Sequence, residues 1–457
     1  MTLPRIPRRV IDLRLALGCT ALLAVVWLAL AAPAVRADAI EAGAAREQSA
    51  DPRTITFVVR VRAAAGLKSA TLAYKVLNPD GDIGGSQAGT FTPGTETDVT
   101  YTLNTNASER YIPVGSRFTY RWQLTDQTGT VIETPEHSFV FLDGRYQWQS
   151  RTDGPVTAYW YGDNAQNATA ALAAAREALD RIGKLLETTV PYGIRIVVYR
   201  SEAEGQLAQR PRGRVFDALV ITGGQRVAPD VVTIFSADVE VSRHEVAHIV
   251  THAAGDGPFT SLPAWLDEGT AVYAQSAPGG NYRSAIDFAV RTNRTLSLRA
   301  MQAATNQPNE VNLFYGQSWS TVDFLVSTYG QPKLAELYRV HFKGARIDDA
   351  LKQVYGVDQD GLYNLWRESK GLPKVAVTAV PSGAGQTAPQ TTLPPLAMPG
   401  AGEAATPQGA GAGAAAEPAS DGGSATAGII VALGTLLVAG LLGGEAFVLL
   451  RGRRGGS

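Results

Sequence analysis

His244, Glu245 and His248 form the pattern His-Glu-x-x-His in "HEVAH", within a chain of 457 residues that holds only five histidines. On a helix, residues four apart point the same way, offset by ~40° and one ~6 Å turn. Two imidazoles at that spacing can converge on one zinc ion at ~2.0–2.1 Å each. Glu245 projects from the flank of the same face, where its carboxylate can take a proton from an activated water instead of binding the metal. Val246, Ile249, Val250 and Ala253 make the opposite, apolar stripe, so one helix satisfies both patterns. His252 repeats the four-residue spacing, but its backbone lies ~12 Å along a straight helix from His244. Ligand atoms around one tetrahedral zinc lie within roughly 4 Å of one another, so His252 is expected at the helix end or on the surface. The third ligand must come from another segment.

The best donor is "SLPAWLDEGTAVYAQ", Ser261–Gln275. Ser261 is a helix cap candidate and Pro263 suits a first turn. Asp267 and Glu268 then sit ~100° apart on the helix, so only one of them faces the metal. Gly269 inside a helix costs ~1 kcal/mol relative to alanine, a cost that close approach of the two helices at the metal would offset. The longer Glu268, beside that glycine, is the choice for third ligand. Asp267 is either an orienting partner for a ligand histidine or a solvent-facing helix residue. Trp265 reads as core, and His341, on an amphipathic helix, has no partner evident from the sequence.

"HEVAH", a nineteen-residue gap and Glu268 within "WLDEG" resemble the gluzincin branch of zinc metallopeptidases, the peptidase MA family, over about Val156 to Lys370. The resemblance implies zinc held by His244, His248 and Glu268, with Glu245 as general base. "FYGQSWSTVDFLVSTYG" is similar to the helix that follows in that family. Gluzincins also stabilise the oxyanion with a tyrosine or histidine; Tyr315 lies in the right segment and Tyr273 competes with it. The G-x-M-E-N strand with which related aminopeptidases capture a free amine is absent, which leaves an endopeptidase acting on protein or peptide substrates as the plainer expectation. The alternative is a cell-surface binding or adhesion protein with a catalytically inactive zincin-like domain.

These groups have to be positioned by the elements around them. Residues 51–149 alternate in short runs, "TITFVVRVR", "FTYRWQLTD" and "HSFVFLD", separated by turn signals "NPDGD" and "DQTGT". That pattern predicts an all-β sandwich of immunoglobulin or fibronectin type, in which His137 is structural. Residues 155–370 open with the strand candidates "VTAYWY", "GIRIVVY", "FDALVITGG" and "DVVTIFS" around one long helix, and turn helical after Leu262. Sheet first, helices after and the motif between predict an α+β, zincin-like metallopeptidase domain. "DALVITGG" or "DVVTIFS" could pair with a substrate strand.

The remaining segments concern location. Arg5, Arg8, Arg9 and Arg14 precede an apolar run, and "VRA" ends at Ala37, so 1–37 reads as a signal peptide, with an uncleaved anchor as the alternative. The lone Cys19 lies inside that run, so a mature chain has no thiol and its metal ligands must be His, Asp or Glu. Residues 372–426 are an Ala-, Gly- and Pro-rich stalk expected to be disordered. Residues 427–450 are long and apolar enough for a single transmembrane helix. "RGRR" within the tail 451–457 then places the C-terminus in the cytoplasm and the body outside the cell membrane. Glu445 is expected near the membrane interface. The net charge of -1, with no basic block in the interior, argues against nucleic acid as a partner.

Overall fold

The computed structural model describes residues 40–107, 110–210, 221–305 and 307–376, with the backbone alone at 221–222 and 431–432. A β-rich region comes first. One sheet joins Glu41–Ala42, Arg46–Gln48, Thr54–Arg62 and Glu96–Asn104; the other joins Leu67–Leu77, Ile83–Ala88, Arg117–Asp126, Val131–Glu133 and His137–Val140. Alternation decides which side chains enter the core between them. Phe118, Tyr120, Trp122 and Leu124 are buried while Arg117, Arg121 and Gln123 are exposed. His137 stacks on Tyr120 with ring centroids 5.5 Å apart, a packing role.

The body that follows is built on a five-stranded sheet. Its strands are β1 (Trp148–Asp153), β2 (Val156–Tyr161), β3 (Ile194–Val198), β4 (Gly224–Ala228) and β5 (Val231–Ile234). The spatial order is β1-β2-β3-β5-β4. β2, β3 and β5 run parallel, and the outer strands β1 and β4 are antiparallel to their neighbours. Every residue of β3 is buried, as befits a central parallel strand covered on both faces. Ile194, Ile196 and Val198 face two helices, α1 (Ala165–Leu186) and α2 (Val239–Gly255). Val197 and Tyr199 face the other way and join the core of the β-rich region. The sandwich therefore closes the second face of this sheet.

Polar groups tie that junction. Arg195 Nε donates to Gly115 O at 2.6 Å, and the Arg195 guanidinium forms a buried ion pair with Asp230. The Tyr111 hydroxyl donates to Ala208 O at 2.8 Å.

The second half is helical: α3 (Ala264–Ala274), α4 (Gly280–Arg291), α5 (Val311–Tyr329), α6 (Gln331–Phe342), α7 (Ile347–Tyr355) and α8 (Gln359–Ser369). Trp265, Phe314, Leu325, Tyr338 and Trp366 anchor its core. His341 is buried there and satisfied, its Nδ1 at 2.8 Å from Gly255 O.

Three local expectations differ from what is observed. Helix α3 begins at Ala264 with Pro263 in the cap position, and Ser261 does not cap it. The first helical N–H groups are satisfied across space instead, Ala264 by Gln302 O at 2.9 Å and Trp265 by Met301 O at 3.0 Å. Gly269 is needed for close approach, but to α5: a Cβ there would lie 2.4 Å from Ser318 O. The strand within "DVVTIFS", β5, is internal, flanked by β3 and β4, and has no free edge for a substrate.

The signal segment 1–37, nearly all of the stalk and the tail lie outside the described residues, as does most of "FDALVITGG". Of the apolar segment 427–450 only Val431–Ala432 is described, as a two-residue strand beside Ile221–Thr222, which differs from the helix expected there. So short a ladder does not hold a segment by itself. Among the described residues no helix is long and apolar enough to cross a membrane.

Candidate metal centre

Helix α2 starts where Asp238 accepts the N–H of Glu240 at 3.0 Å, and stops at Gly255, where the N–H of Asp256 returns to His252 O at 3.0 Å. Between those ends it is enclosed. Val241, Val246 and Ile249 face the sheet and α1, while Ala247 and Val250 join the helical core. The remaining arc carries His244, Glu245 and His248, all fully buried.

α3 brings its acidic pair to that arc. His244 Nε2 lies 3.2 Å from Glu268 Oε2, and His248 Nε2 lies 3.3 Å from the same oxygen. The two Nε2 atoms are 3.1 Å apart. Ligands placed tetrahedrally ~2.0–2.1 Å from one ion are themselves ~3.3–3.4 Å apart. Three donors of the right chemistry thus occupy three corners of a zinc-sized tetrahedron, and the residues present fit the ion.

Asp267, one residue from Glu268, takes a different place. His248 Nδ1 lies 2.9 Å from Asp267 Oδ1, and Thr251 donates its hydroxyl to the same oxygen. A proton held on Nδ1 leaves the Nε2 lone pair of His248 free for a metal. In the metal-free protein, where His248 is protonated, burial opposes ionisation of Asp267, but the charge and hydrogen bond of His248 outweigh it, aided by Arg226 and Thr251, and hold the carboxyl below its ordinary range. The ~100° between adjacent helix positions therefore gives both carboxylates work: Glu268 among the donor atoms, Asp267 behind one of them.

Glu245 stands beside the cluster and belongs to no corner of it. Its Oε2 accepts the backbone N–H of Arg226 on β4 at 2.8 Å, and its Oε1 is buried without a hydrogen-bond partner. Burial pushes its pKa up, and the nearby imidazoles only partly offset this. A fixed carboxylate with one free oxygen next to a metal-shaped donor set can accept and return a proton.

Of the two tyrosines considered, Tyr315 is near: its ring centroid is 5.9 Å from that of His244. Tyr273 instead lies under Arg181, whose guanidinium carbon is 5.6 Å from the ring centroid. Trp265 is core, its Nε1 3.4 Å from Gln359 Oε1. His252 is apart from the donor set; its Nδ1 lies 2.7 Å from Asp256 Oδ2 and its Nε2 3.0 Å from Asp80 Oδ2, a residue of the sandwich. Two neighbours of the site went unread in the sequence. Asp80 sat inside a turn signal, and Arg226 belongs to a strand, "GQRVA", whose composition does not advertise one.

A sheet with a two-histidine, one-glutamate cluster on two crossing helices, and a spare glutamate beside it, defines a metallopeptidase-like body. Residues 216–370 match the family model of the Peptidase MA superfamily, which makes this part of the chain a peptidase MA-like domain. Among solved structures, the chain is similar to an aminopeptidase N family protein from Idiomarina loihiensis at 10% identity, covering 72% of this chain and 76% of that one, with a TM-score of 0.32. It is also similar to the third fibronectin III domain of the human KIAA0343 protein at 11% identity, covering 24% of this chain and 86% of that one, with a TM-score of 0.17. No curated protein matches the chain.

Proposed function

We propose that the chain is a zinc endopeptidase held at the cell surface, with its body outside the membrane and its C-terminal tail inside. The observation that carries the peptidase reading is the triangle of His244 Nε2, His248 Nε2 and Glu268 Oε2, 3.1–3.3 Å on each side, with the unpartnered Oε1 of Glu245 next to it. When bound, zinc supplies a Lewis acid for the scissile carbonyl and makes water acidic near neutral pH. Glu245 takes the proton of the attacking water and passes it to the leaving amine. Its other oxygen is fixed by Arg226 N–H, so the carboxylate keeps one orientation through the cycle. Asp267 holds the His248 ring. Tyr315 stabilises the charge that develops on the carbonyl oxygen.

Among the described residues β4 is the last strand of the sheet, beside Glu245, so an extended peptide can lie along it at positions other than the Arg226 N–H that Glu245 takes. The endopeptidase assignment rests on the absence of an amine-binding G-x-M-E-N strand. The surface location rests on the apolar segment 427–450 followed by "RGRR" and on the export signal 1–37.

The deciding experiment is Glu245→Gln. Zinc content should persist while peptide cleavage falls by about 10²–10⁴-fold, the usual contribution of a positioned general base. Cleavage at the wild-type rate would remove Glu245 from the mechanism. Zinc-loaded wild-type protein that turns over no peptide would turn the assignment toward a binding protein.

A further inference from the structure

The Arg226 side chain on β4 takes no part in the catalysis proposed for Glu245 and the donor set. Residues 224 and 226 lie on the same face of the strand, because side chains alternate. That face looks onto α2: a Cβ added at Gly224 would meet Val241 Cγ1 at 2.6 Å and Glu245 Cγ at 3.0 Å. Arg226 therefore sends its side chain toward α2, from the residue whose own N–H fixes Glu245. Its charge reaches Asp267 behind the donor set, and also His252 and Asp80 at the sandwich end of α2.

None of these carboxylates is its partner. Asp80 and Asp256 are taken by the two ring nitrogens of His252, and Asp267 is taken by His248 and Thr251. Arg226 Nε is buried without a hydrogen-bond partner, and among the described residues no acidic group forms an ion pair with the guanidinium. A guanidinium offers five donors in a planar fork that matches a carboxylate in two-point contact. Nε itself has no accessible surface, so a ligand would meet the two terminal nitrogens of this half-buried side chain, for which no protein acceptor is found among the described residues.

We infer that Arg226 is a specificity-determining residue that receives a carboxylate of the bound peptide, from an acidic side chain near the scissile bond or from the chain terminus, on the side of the donor set where the sandwich residue Asp80 meets α2. The inference rests on the peptidase reading. The sandwich takes part indirectly: with Asp256 on Nδ1 and Asp80 on Nε2, both ring nitrogens of His252 are occupied and do not compete with Arg226 for a substrate carboxylate.

The test uses the full zinc-loaded chain and two sets of fluorogenic peptides. In one set Glu and Gln alternate at each position flanking the cleavage site; in the other the C-terminus is a free acid or an amide. Wild type should favour the acid member of one set by about tenfold to a hundredfold in kcat/KM, the range for a hydrogen bond to a charged group. The set that responds identifies the source of the carboxylate. Arg226→Gln should bring the ratio close to one, chiefly through KM, and Arg226→Lys should keep part of it, having charge without the fork. Because each ratio is taken within one variant, a general loss of activity cancels. A ratio near one in wild type for both sets, or an undiminished ratio in Arg226→Gln, overturns the inference and leaves the peptidase reading standing. No turnover of any peptide by wild type overturns both.

Discussion

Strands β3 and β5 of the central sheet are buried on both faces, and by different chemistry on each. Toward α1 and α2 the contact is aliphatic: Ile194, Ile196, Val198, Val232 and Ile234 meet Ala168, Ala171, Leu172, Val246 and Ile249. Toward the sandwich, Val197, Tyr199, Val231 and Phe235 share the face with the Arg195–Asp230 ion pair, and Tyr199 donates to Asp143 at 3.1 Å. The first face aims a metal-binding helix and needs only volume and alternation. The second joins two units made separately along the chain, and its polar groups set how they sit on one another. Burial pushes the pKa of Asp230 up even against the pull of Arg195, so that pair works against its own desolvation. A buried pair of this kind gives little net stability, yet removing one partner is expensive.

Breaking that face should give the largest effect. Arg195→Ala leaves Asp230 buried and unpaired and should cost about 3–5 kcal/mol in denaturant unfolding. Ile196→Ala, one residue on and facing the helices, should cost about 2–5 kcal/mol through a cavity. The two differ in kind more than in size: replacing Arg195 and Asp230 together by apolar residues should recover much of the first loss, whereas nothing on the sandwich side can recover the second. If the double replacement is as unstable as Arg195→Ala, the polar account of this face is wrong.

A smaller effect is expected behind the metal centre. Asp267→Asn should weaken zinc binding by about 10–100-fold, as for other partners of ligand histidines, and should also lower the melting point of the metal-free protein near neutral pH, because the fold favours the ionised carboxylate. Competition against a zinc chelator measures the first and thermal melting the second. An unchanged zinc affinity would show that His248 is oriented by packing alone.

The smallest effect concerns the contact between His252 and Asp80, where the sandwich touches the end of the metal helix. Burial lowers the pKa of His252, but its bonds to Asp256 and Asp80 outweigh this, so the folded value is raised, while Asp80, bonded to His252, is lowered. A raised histidine stabilises fully below its unfolded value of ~6.5 and loses that contribution as pH rises through the folded value. A lowered aspartate contributes above ~3.9 and loses its share as pH falls through its own folded value. His252→Gln should therefore melt below wild type by most between pH ~4 and ~6.5, and the gap should close toward pH 9. Asp80 is half exposed, so the pair should contribute no more than about 1 kcal/mol. A gap that widens with pH would reverse the assignment of charge.

Legibility in the sequence followed distance along the chain. The sandwich strands, the long helix α1 and the helical run after Leu262 announced themselves because alternation and three- to four-residue spacing are local patterns. The edge strand β4 did not, since Gly224, Gln225 and Arg226 are weak strand formers and the strand is set by pairing with β5. The contact of His252 with Asp80 spans 172 residues, and no local pattern encodes it. Gly269 signals close approach, but its neighbour is α5 and not α2.

The amino-acid order alone determined that His244 and His248 share one face of a helix with Glu245 at its flank, because the geometry of a helical turn leaves no choice. Which acid completes the triangle and which stands behind His248, that Tyr315 and not Tyr273 comes near, and that Arg226 arrives beside Glu245 were decided by tertiary structure. Each depends on how separate helices and an edge strand are rotated against one another, and that rotation is set by packing over the whole core.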